Sequence, residues 1–169
     1  MENTLPRTAI ERERKYLIEY PSDALLAGLE SANIEQTYLL NPPDTRNRAI
    51  LRGDSARFVM TQKTNLPDDP AARLETERTL SPGEYLTLLA QRDPHRKTIR
   101  KTRYFFPHCG LTFEIDVFEG WKAYAVMEVE YKSGDTIVLP PRFNVLADVT
   151  GDPSYENYAL SIAFPAFPR

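Results

Sequence analysis

Charged residues recur at every second position in several short segments of this chain, and this spacing limits how the segments can fold. The first segment, IERERKYLI at residues 10–18, places Glu11, Glu13 and Lys15 on one face if it is a β-strand. One such strand usually marks a solvated surface. Three other segments, however, carry paired acids at the same spacing: Glu75 with Glu77, Glu114 with Asp116, and Glu128 with Glu130. Bases on strand-like segments are Arg48, Arg52, Lys63, Arg73, Lys101 and Arg103. This repetition favours one shared polar face.

The opposite face of one segment indicates which side is the inner one. In YAVMEVEY, residues 124–131, an apolar set alternates with the acids, and it consists of Ala125, Met127, Val129 and Tyr131. Apolar residues in such a set require burial against another element. We therefore predict that this set packs on the outside of a barrel, beneath helices, and that the acids point into its lumen.

Short strand-like segments separated by turns dominate the chain, and roughly eight of them can be recognised. Helices are predicted at residues 21–32, 80–91 and 152–164. Ser22 is the candidate N-cap of the first helix, and Ser81 with Glu84 forms a capping box at the start of the second. Residues 66–72 read as a polar loop. We predict a single α+β domain over residues 1–169, a closed antiparallel eight-stranded barrel with a few flanking helices, because closure removes exposed sheet edges.

Composition excludes several classes of function. The 169 residues are 41% hydrophobic and 27% charged, which fits one globular domain. A formal net charge of -3 disfavours a nucleic-acid partner. Cys109 is the single cysteine, which fits a reducing compartment, and no apolar run approaches the ~20 residues of a membrane helix. We therefore expect a cytoplasmic protein without a membrane partner.

A lumen that carries both signs of charge restricts its ligand. Unpaired charges removed from water are costly unless they are hydrated or bound to ions. Carboxylates without cysteine or histidine suit a hard divalent cation such as Mg²⁺ or Mn²⁺, and lysines and arginines in the same cavity suit phosphate oxygens. The residues therefore predict a site for a metal and a polyphosphate.

An ordered series of motifs resembles the triphosphate tunnel metalloenzymes, also called the CYTH superfamily, which includes class IV adenylate cyclases and thiamine triphosphatase. The motifs are ERERK, QTYL, TQK, RLETE, KTRY, EIDVF, MEVEY and DVTGDPSYENYAL. They extend over nearly the whole chain. The resemblance implies the family's closed eight-stranded antiparallel tunnel, in agreement with the strand pattern.

The resemblance also implies roles for individual residues. The expected metal ligands are Glu11, Glu13, Glu128 and Glu130. Further acids, expected to complete the metal shell directly or through water or to hold neighbouring bases, are Glu75, Glu77 and Asp116. The expected triphosphate clamp consists of Lys15, Arg52, Lys63, Arg73, Lys101 and Arg103. Expected to act in catalysis itself are Glu128, Glu130 and Lys15.

Two departures from the family pattern affect these expectations. The family commonly has an R-x-R pair before the hairpin, whereas Ile50 stands two residues before Arg52 here, which leaves Arg48 as the candidate replacement. Arg12 stands where the family more often has an apolar residue, and we expect it on the exposed outer face of the first strand.

The implied activity is metal-dependent hydrolysis of inorganic triphosphate to pyrophosphate and phosphate. A cation would orient and acidify the attacking water while the bases hold the phosphates. A class IV-type adenylate cyclase or a thiamine triphosphatase could use the same site, and a non-catalytic polyphosphate or nucleotide sensor is the alternative from another class. Nothing in the sequence distinguishes a monomer from a homodimer. Glycine fingerprints of P-loop and dinucleotide-binding proteins are absent.

Overall fold

Nine β-strands and three short helices make up the structure, a computed structural model that describes residues 5–166 except for the side chain of Pro70. The strands are β1 (Arg7–Glu19), β2 (Glu30–Tyr38), β3 (Thr45–Arg52), β4 (Ser55–Leu66), β5 (Asp69–Leu80), β6 (Ile99–His108), β7 (Leu111–Phe118), β8 (Tyr124–Glu130) and β9 (Val145–Asp148). The helices are α1 (Asp23–Leu26), α2 (Pro82–Leu89) and α3 (Asn157–Leu160), with a 3₁₀ turn at Pro153–Tyr155 before α3.

The first strand closes the barrel because it pairs with two different partners along its length. Its residues 7–12 pair antiparallel with β5, and its residues 13–19 pair antiparallel with β8. The remaining pairings run β5-β4-β3-β2-β6-β7-β8. Eight antiparallel strands thus form a closed ring, which confirms the predicted fold. The ninth strand, β9, was not predicted, and it adds to β1 at residues 16–18.

The outer face of β7 and β8 is apolar, as predicted for Ala125, Met127 and Val129, whereas Tyr131 lies beyond β8 and lines the lumen. Ala125, Met127 and Val129 are fully buried beneath α1 and the segment that follows β8, where Phe113 and Phe143 join them. Because side chains alternate along a strand, burying this set outside turns Glu128 and Glu130 towards the lumen. The same packing therefore stabilises the barrel and orients the charged face.

The inner face of the barrel changes from charged to apolar over two residues along several strands. Leu17, Ile99 and Val126 each lie two residues from a charged lumen residue on the same strand, and all three are buried in one cluster with Phe118 and Trp121. Leu160 of α3 and Tyr155 of the 3₁₀ turn belong to the same cluster. Apolar packing therefore closes this part of the barrel.

Helix α2 begins as predicted, with a complete capping box. The Ser81 hydroxyl accepts a hydrogen bond from the Glu84 backbone N–H at 3.3 Å, and the Glu84 carboxylate accepts one from the Ser81 N–H at 2.8 Å. The helix covers the outer face of β3 and β5, where Ala49 and Tyr85 are buried.

Three predicted elements differ from the structure. The loop expected at residues 66–72 is a two-residue turn, because β4 continues to Leu66 and β5 begins at Asp69. Helix α1 has only four residues, its Ser22 side chain makes no capping hydrogen bond, and the chain turns at Gly28 (φ 77°) into β2. The last helix is also shorter than predicted. Among the described residues, no helix is long and apolar enough to cross a lipid bilayer.

Candidate active site

The barrel lumen is a cavity of about 930 Å³ with charged walls. Its described lining includes nine cationic side chains: Arg7, Lys15, Arg46, Arg48, Arg57, Lys63, Lys101, Arg103 and Lys132. It also includes nine anionic ones: Glu11, Glu13, Glu75, Glu77, Glu114, Glu128, Glu130, Asp135 and Glu156. The two sets balance, so the lumen is highly charged without a large net charge.

Lys15 lies at the centre of the wall and is nearly inaccessible, with 3% of its side chain exposed. It is the register partner of Glu128, and its Nζ lies 3.3 Å from Glu128 Oε1, 3.2 Å from Glu156 Oε2 and 3.9 Å from Glu13 Oε1. Burial alone would lower the pKa of Lys15, but these three carboxylates outweigh burial and raise it. The ammonium is therefore fixed and permanently charged.

Arg103 connects the lumen to a buried carboxylate, that of Asp116. Its guanidinium donates to Asp116 at 2.7 Å and to Glu128 at 3.0 Å, and it also pairs with Glu114. Asp116 is 1% exposed, pairs with Lys101 as well, and is not part of the lumen lining. Of the roles expected for Asp116, the structure shows the holding of two neighbouring bases. Glu114 of the same strand faces the lumen instead.

Lys101 is a buried base whose surroundings lower its pKa. Its ammonium is 2% exposed, and burial together with the nearby charge of Arg103 outweighs Asp116 and lowers its pKa to about 8. The pKa of Asp116 moves down as well: burial would raise it, but Arg103 and Lys101 both favour the carboxylate. Both groups are thus charged at neutral pH, and Lys101 holds its proton less firmly than a surface lysine.

Carboxylates gather around Lys63, on the wall formed by β1, β4, β5 and β8. Lys63 pairs with Glu11 and lies 3.3 Å from Glu75 and 3.7 Å from Glu13. Glu130 is the register partner of Glu13. Among the described residues, no three His, Cys, Asp or Glu side chains already stand in an arrangement that could hold a metal ion.

Two of these acids, Glu13 and Glu130, have pKa values that their surroundings raise. The pKa of Glu13 is raised by burial and by Glu128. The pKa of Glu130 is raised by burial and by Glu11 and Glu75, and no ion pair to Glu130 occurs within residues 5–166. Like charges are therefore concentrated here beyond what Lys63 neutralises.

Two arginines of β3 project into the lumen, and one of them was not predicted. Arg46 pairs with Glu75 at 3.2 Å, and Arg48 pairs with Glu77 at 2.9 Å. The Nε atoms of both arginines are buried and have no hydrogen-bond partner among the described residues. Burial and the charge of Arg46 lower the pKa of Arg48 to about 10. An R-x-R pair is thus present at residues 46–48, and the letters RNR were its signal in the sequence.

Arg52, predicted as part of the clamp, is not among the residues that line the lumen. It lies at the end of β3, is 56% exposed, pairs with Glu30 and stacks its guanidinium 4.7 Å from the Phe105 ring centroid. It shares the strand face of Arg48 but stands four residues further along, at the rim of the barrel. On the outer face, Arg12 is half-exposed and lies 3.4 Å from Asp69, as expected.

Arg73 is the other clamp residue that lies apart from the lumen lining. Both of its terminal nitrogens donate to Glu156, one at 2.7 Å, and it lines a neighbouring cavity. Glu156 was not predicted. It comes from the segment before α3, and only the folding of that segment across the barrel brings it beside Lys15.

Comparison with known proteins supports both the fold and the general function. No family model and no curated protein matches the sequence. A solved structure of the inorganic triphosphatase NE1496 aligns with a TM-score of 0.56 and 27% identity, covering 92% of this chain and 96% of that chain. A structure of the hypothetical protein NE1496 aligns with a TM-score of 0.58 and 29% identity, covering 92% and 99%.

A more distant likeness shows the fold alone. A Bacillus halodurans protein proposed to be an adenylate cyclase aligns with a TM-score of 0.52 and 19% identity, covering 75% of this chain and 82% of that one. Together with the closed barrel, these comparisons indicate a common architecture.

Proposed function

Because the chain belongs to the triphosphate tunnel metalloenzyme (CYTH) superfamily, we propose that it is a metal-dependent triphosphatase that hydrolyses inorganic triphosphate to pyrophosphate and phosphate. One observation carries this proposal: six cationic side chains from four strands line a single lumen, namely Lys15, Arg46, Arg48, Lys63, Lys101 and Arg103. Lysine and arginine side chains gathered in one cavity suit the oxygens of a polyphosphate.

The cations are arranged to hold a linear polyanion. Lys15, Lys101 and Arg103 lie on β1 and β6, while Arg46 and Arg48 lie on β3 and Lys63 on β4. Each of them is held by at least one carboxylate, which fixes it before the substrate arrives. Preorganised charges of this kind stabilise the developing negative charge in phosphoryl transfer without reorganising.

The lining favours an inorganic substrate over a nucleotide. Among the described lining residues, Leu111 and Tyr131 are the only side chains with an extended apolar surface. A nucleobase or a thiazolium ring is usually recognised by stacking and apolar contact, which two rim residues supply poorly. The cationic side chains of the lining, in contrast, suit phosphate oxygens.

The donor set suits a divalent cation, although it does not yet form a coordination shell. The concentration of Glu11, Glu13, Glu75 and Glu130 around one lysine leaves like charges that a hard cation would relieve. We propose that Glu11, Glu13 and Glu130 hold Mg²⁺ or Mn²⁺, with Glu128 beside them. Such a cation would neutralise phosphate charge and lower the pKa of the attacking water.

The carboxylates also provide a proton acceptor. Water attacks the terminal phosphorus, a new P–O bond forms, and the bond to the bridging oxygen breaks to release pyrophosphate. A carboxylate of the lumen accepts the proton that the attacking water loses. Lys15 and Arg103 neutralise charge on the phosphoryl oxygens and the leaving group.

The test is an assay of phosphate and pyrophosphate released from triphosphate, ATP and thiamine triphosphate with Mg²⁺ or Mn²⁺. We expect equal amounts of phosphate and pyrophosphate from inorganic triphosphate, at a higher kcat/KM than for the other two. Cyclic AMP with pyrophosphate from ATP would establish the cyclase reaction instead. Tight triphosphate binding without turnover would establish a sensor.

A further inference from the structure

Two cavities meet inside the barrel, and one acidic side chain stands between them. Beside the lumen lies a second cavity of about 550 Å³, lined by residues before and within β3, by the β4–β5 hairpin and by residues 151–159. Arg46, Lys63, Glu156 and Asn157 line both cavities, whereas Arg73 lines the second and not the lumen. Positively charged side chains therefore line the second cavity as well as the lumen, on both sides of Glu156.

Two cations, Lys15 and Arg73, hold the Glu156 carboxylate. It accepts hydrogen bonds from both terminal nitrogens of Arg73 and lies 3.2 Å from Lys15 Nζ. Burial would raise its pKa, but the Arg73 hydrogen bonds and the Lys15 charge outweigh burial and lower it. The carboxylate is therefore ionised and fills the gap between the two cations.

Glu156 is held in place by the packing of its segment. Its side chain is 19% exposed, and the flanking Tyr155 and Leu160 are buried in the apolar cluster that closes the barrel. Arg96 fixes the same segment, since it stacks 3.2 Å from the Tyr158 ring centroid and donates to Ser161 Oγ at 3.1 Å. A group fixed in this way can act as a boundary.

Resting on the triphosphatase function proposed above, we propose that Glu156 ends the phosphate-binding track and thereby selects triphosphate over longer linear polyphosphates. A phosphoryl group beyond the end of the track would have to approach a fixed, desolvated carboxylate, and like charges at contact repel strongly in such surroundings. The second cavity holds room and cations, Arg73 among them, for further phosphates once this charge is removed.

The experiment compares Glu156→Gln with Asp44→Asn. Gln keeps the length of the side chain and an acceptor oxygen for Arg73 but removes the charge. Asp44 also lines the second cavity, is exposed and has no ion pair among the described residues, and Asn tolerates its φ of 65°. The control thus removes the same charge from the same cavity without opening the track.

The measured quantity is the ratio of kcat/KM for inorganic tetraphosphate to kcat/KM for inorganic triphosphate. We expect Glu156→Gln to raise this ratio about tenfold, which corresponds to one lost charge repulsion, and Asp44→Asn to leave it unchanged. The double variant Glu156→Gln/Arg73→Gln should lose the gain, because Arg73 would bind the added phosphate.

Several outcomes would overturn the proposal. Equal use of tetraphosphate and triphosphate by the wild-type protein would do so without any variant, as would an equal rise in the Asp44→Asn control. If the wild-type protein hydrolyses neither compound, the triphosphatase proposal fails, and calorimetric binding of the two phosphates then tests the boundary separately: a preference for triphosphate that Glu156→Gln abolishes supports it, and equal affinities overturn it.

Discussion

Glu128 and Glu130 lie two residues apart on one strand face, yet cations hold only the first. The Glu128 carboxylate lies 3.3 Å from Lys15 Nζ and 3.0 Å from Arg103 Nη2, whereas no ion pair to the exposed Glu130 occurs in the described part of the chain. One acid is thus part of the structural network of the wall, and the other is free to bind a cation.

This difference predicts separable effects of two substitutions. Glu130→Gln should lower kcat by about 100-fold, as loss of a metal-binding group does, while the free energy of unfolding changes by less than about 0.5 kcal/mol. Glu128→Gln should lower kcat as well and also destabilise the fold by about 3 kcal/mol, because Lys15 and Arg103 lose a buried partner. Steady-state kinetics and urea unfolding provide the two readouts. Full activity in both variants would show that the assigned metal site is wrong.

The arginines of β3 provide a second prediction. Replacing Arg46 or Arg48 by Gln should lower kcat/KM for triphosphate by about 100-fold, the effect of losing a charged hydrogen-bond donor to phosphate. Arg52→Gln is the matched control on the same strand face, and its kcat/KM should remain within about twofold of wild type because its side chain lies at the rim. A large loss in the Arg52 variant would instead place the substrate at the barrel mouth.

The Lys101 ammonium should set the alkaline limit of activity. It loses its proton as the pH rises through about 8, so the clamp loses a positive charge and kcat/KM should fall above that pH. Stability should change in the opposite direction. The folded-state pKa lies below the ordinary value of 10.5, so the unfolded chain binds more protons between about pH 8 and 10.5, and this group's contribution to the unfolding free energy rises with pH.

Arginine at position 101 tests this assignment, because it remains charged in the alkaline range. Lys101→Arg should move the alkaline limb of the kcat/KM profile to higher pH, and thermal unfolding checks that the buried site accepts the larger side chain. An unchanged limb in a folded Arg variant would assign the titration to another group.

Divalent cations provide the fourth prediction. Chelation with EDTA should abolish turnover, and Mg²⁺ or Mn²⁺ should restore it. Glu13→Gln should raise the half-saturating metal concentration by about 10- to 100-fold, whereas Glu30→Gln, on the surface beside Arg52, should not change it. Thermal shift with Mn²⁺ alone reports binding independently of turnover. Metal-independent activity in the wild-type protein would contradict the proposed chemistry.

The fold was largely predictable because its main signal is local. The alternation of Glu11, Glu13 and Lys15 along one strand, and of Ala125, Met127 and Val129 along another, reports which face is buried wherever a sheet has two different sides. The capping box at Ser81 and Glu84 is a local signal of the same kind. Such patterns fix strand faces even without knowledge of the partners.

The depth of a residue along the barrel axis was not predictable from alternation. Arg46, Arg48 and Arg52 share one face, but only the end of the strand pairing shows that Arg52 lies beyond the wall. Asp116 has the parity of a lumen residue, and the guanidinium of Arg103 separates it from the cavity. Glu156 enters the site through contacts between residues more than eighty positions apart, which no local pattern reports.

The divided pairing of β1 gives the chain a late closing step in folding. Residues 7–12 can pair with β5 once about half of the chain is available, but residues 13–19 must wait for β8, more than a hundred positions away. Pairings of such sequence separation are slow to form because the loop entropy is lost before the contacts are gained. Until then, β1 and β7 each expose an unpaired edge beside the charged wall, and these edges are where an incomplete chain would associate with another copy.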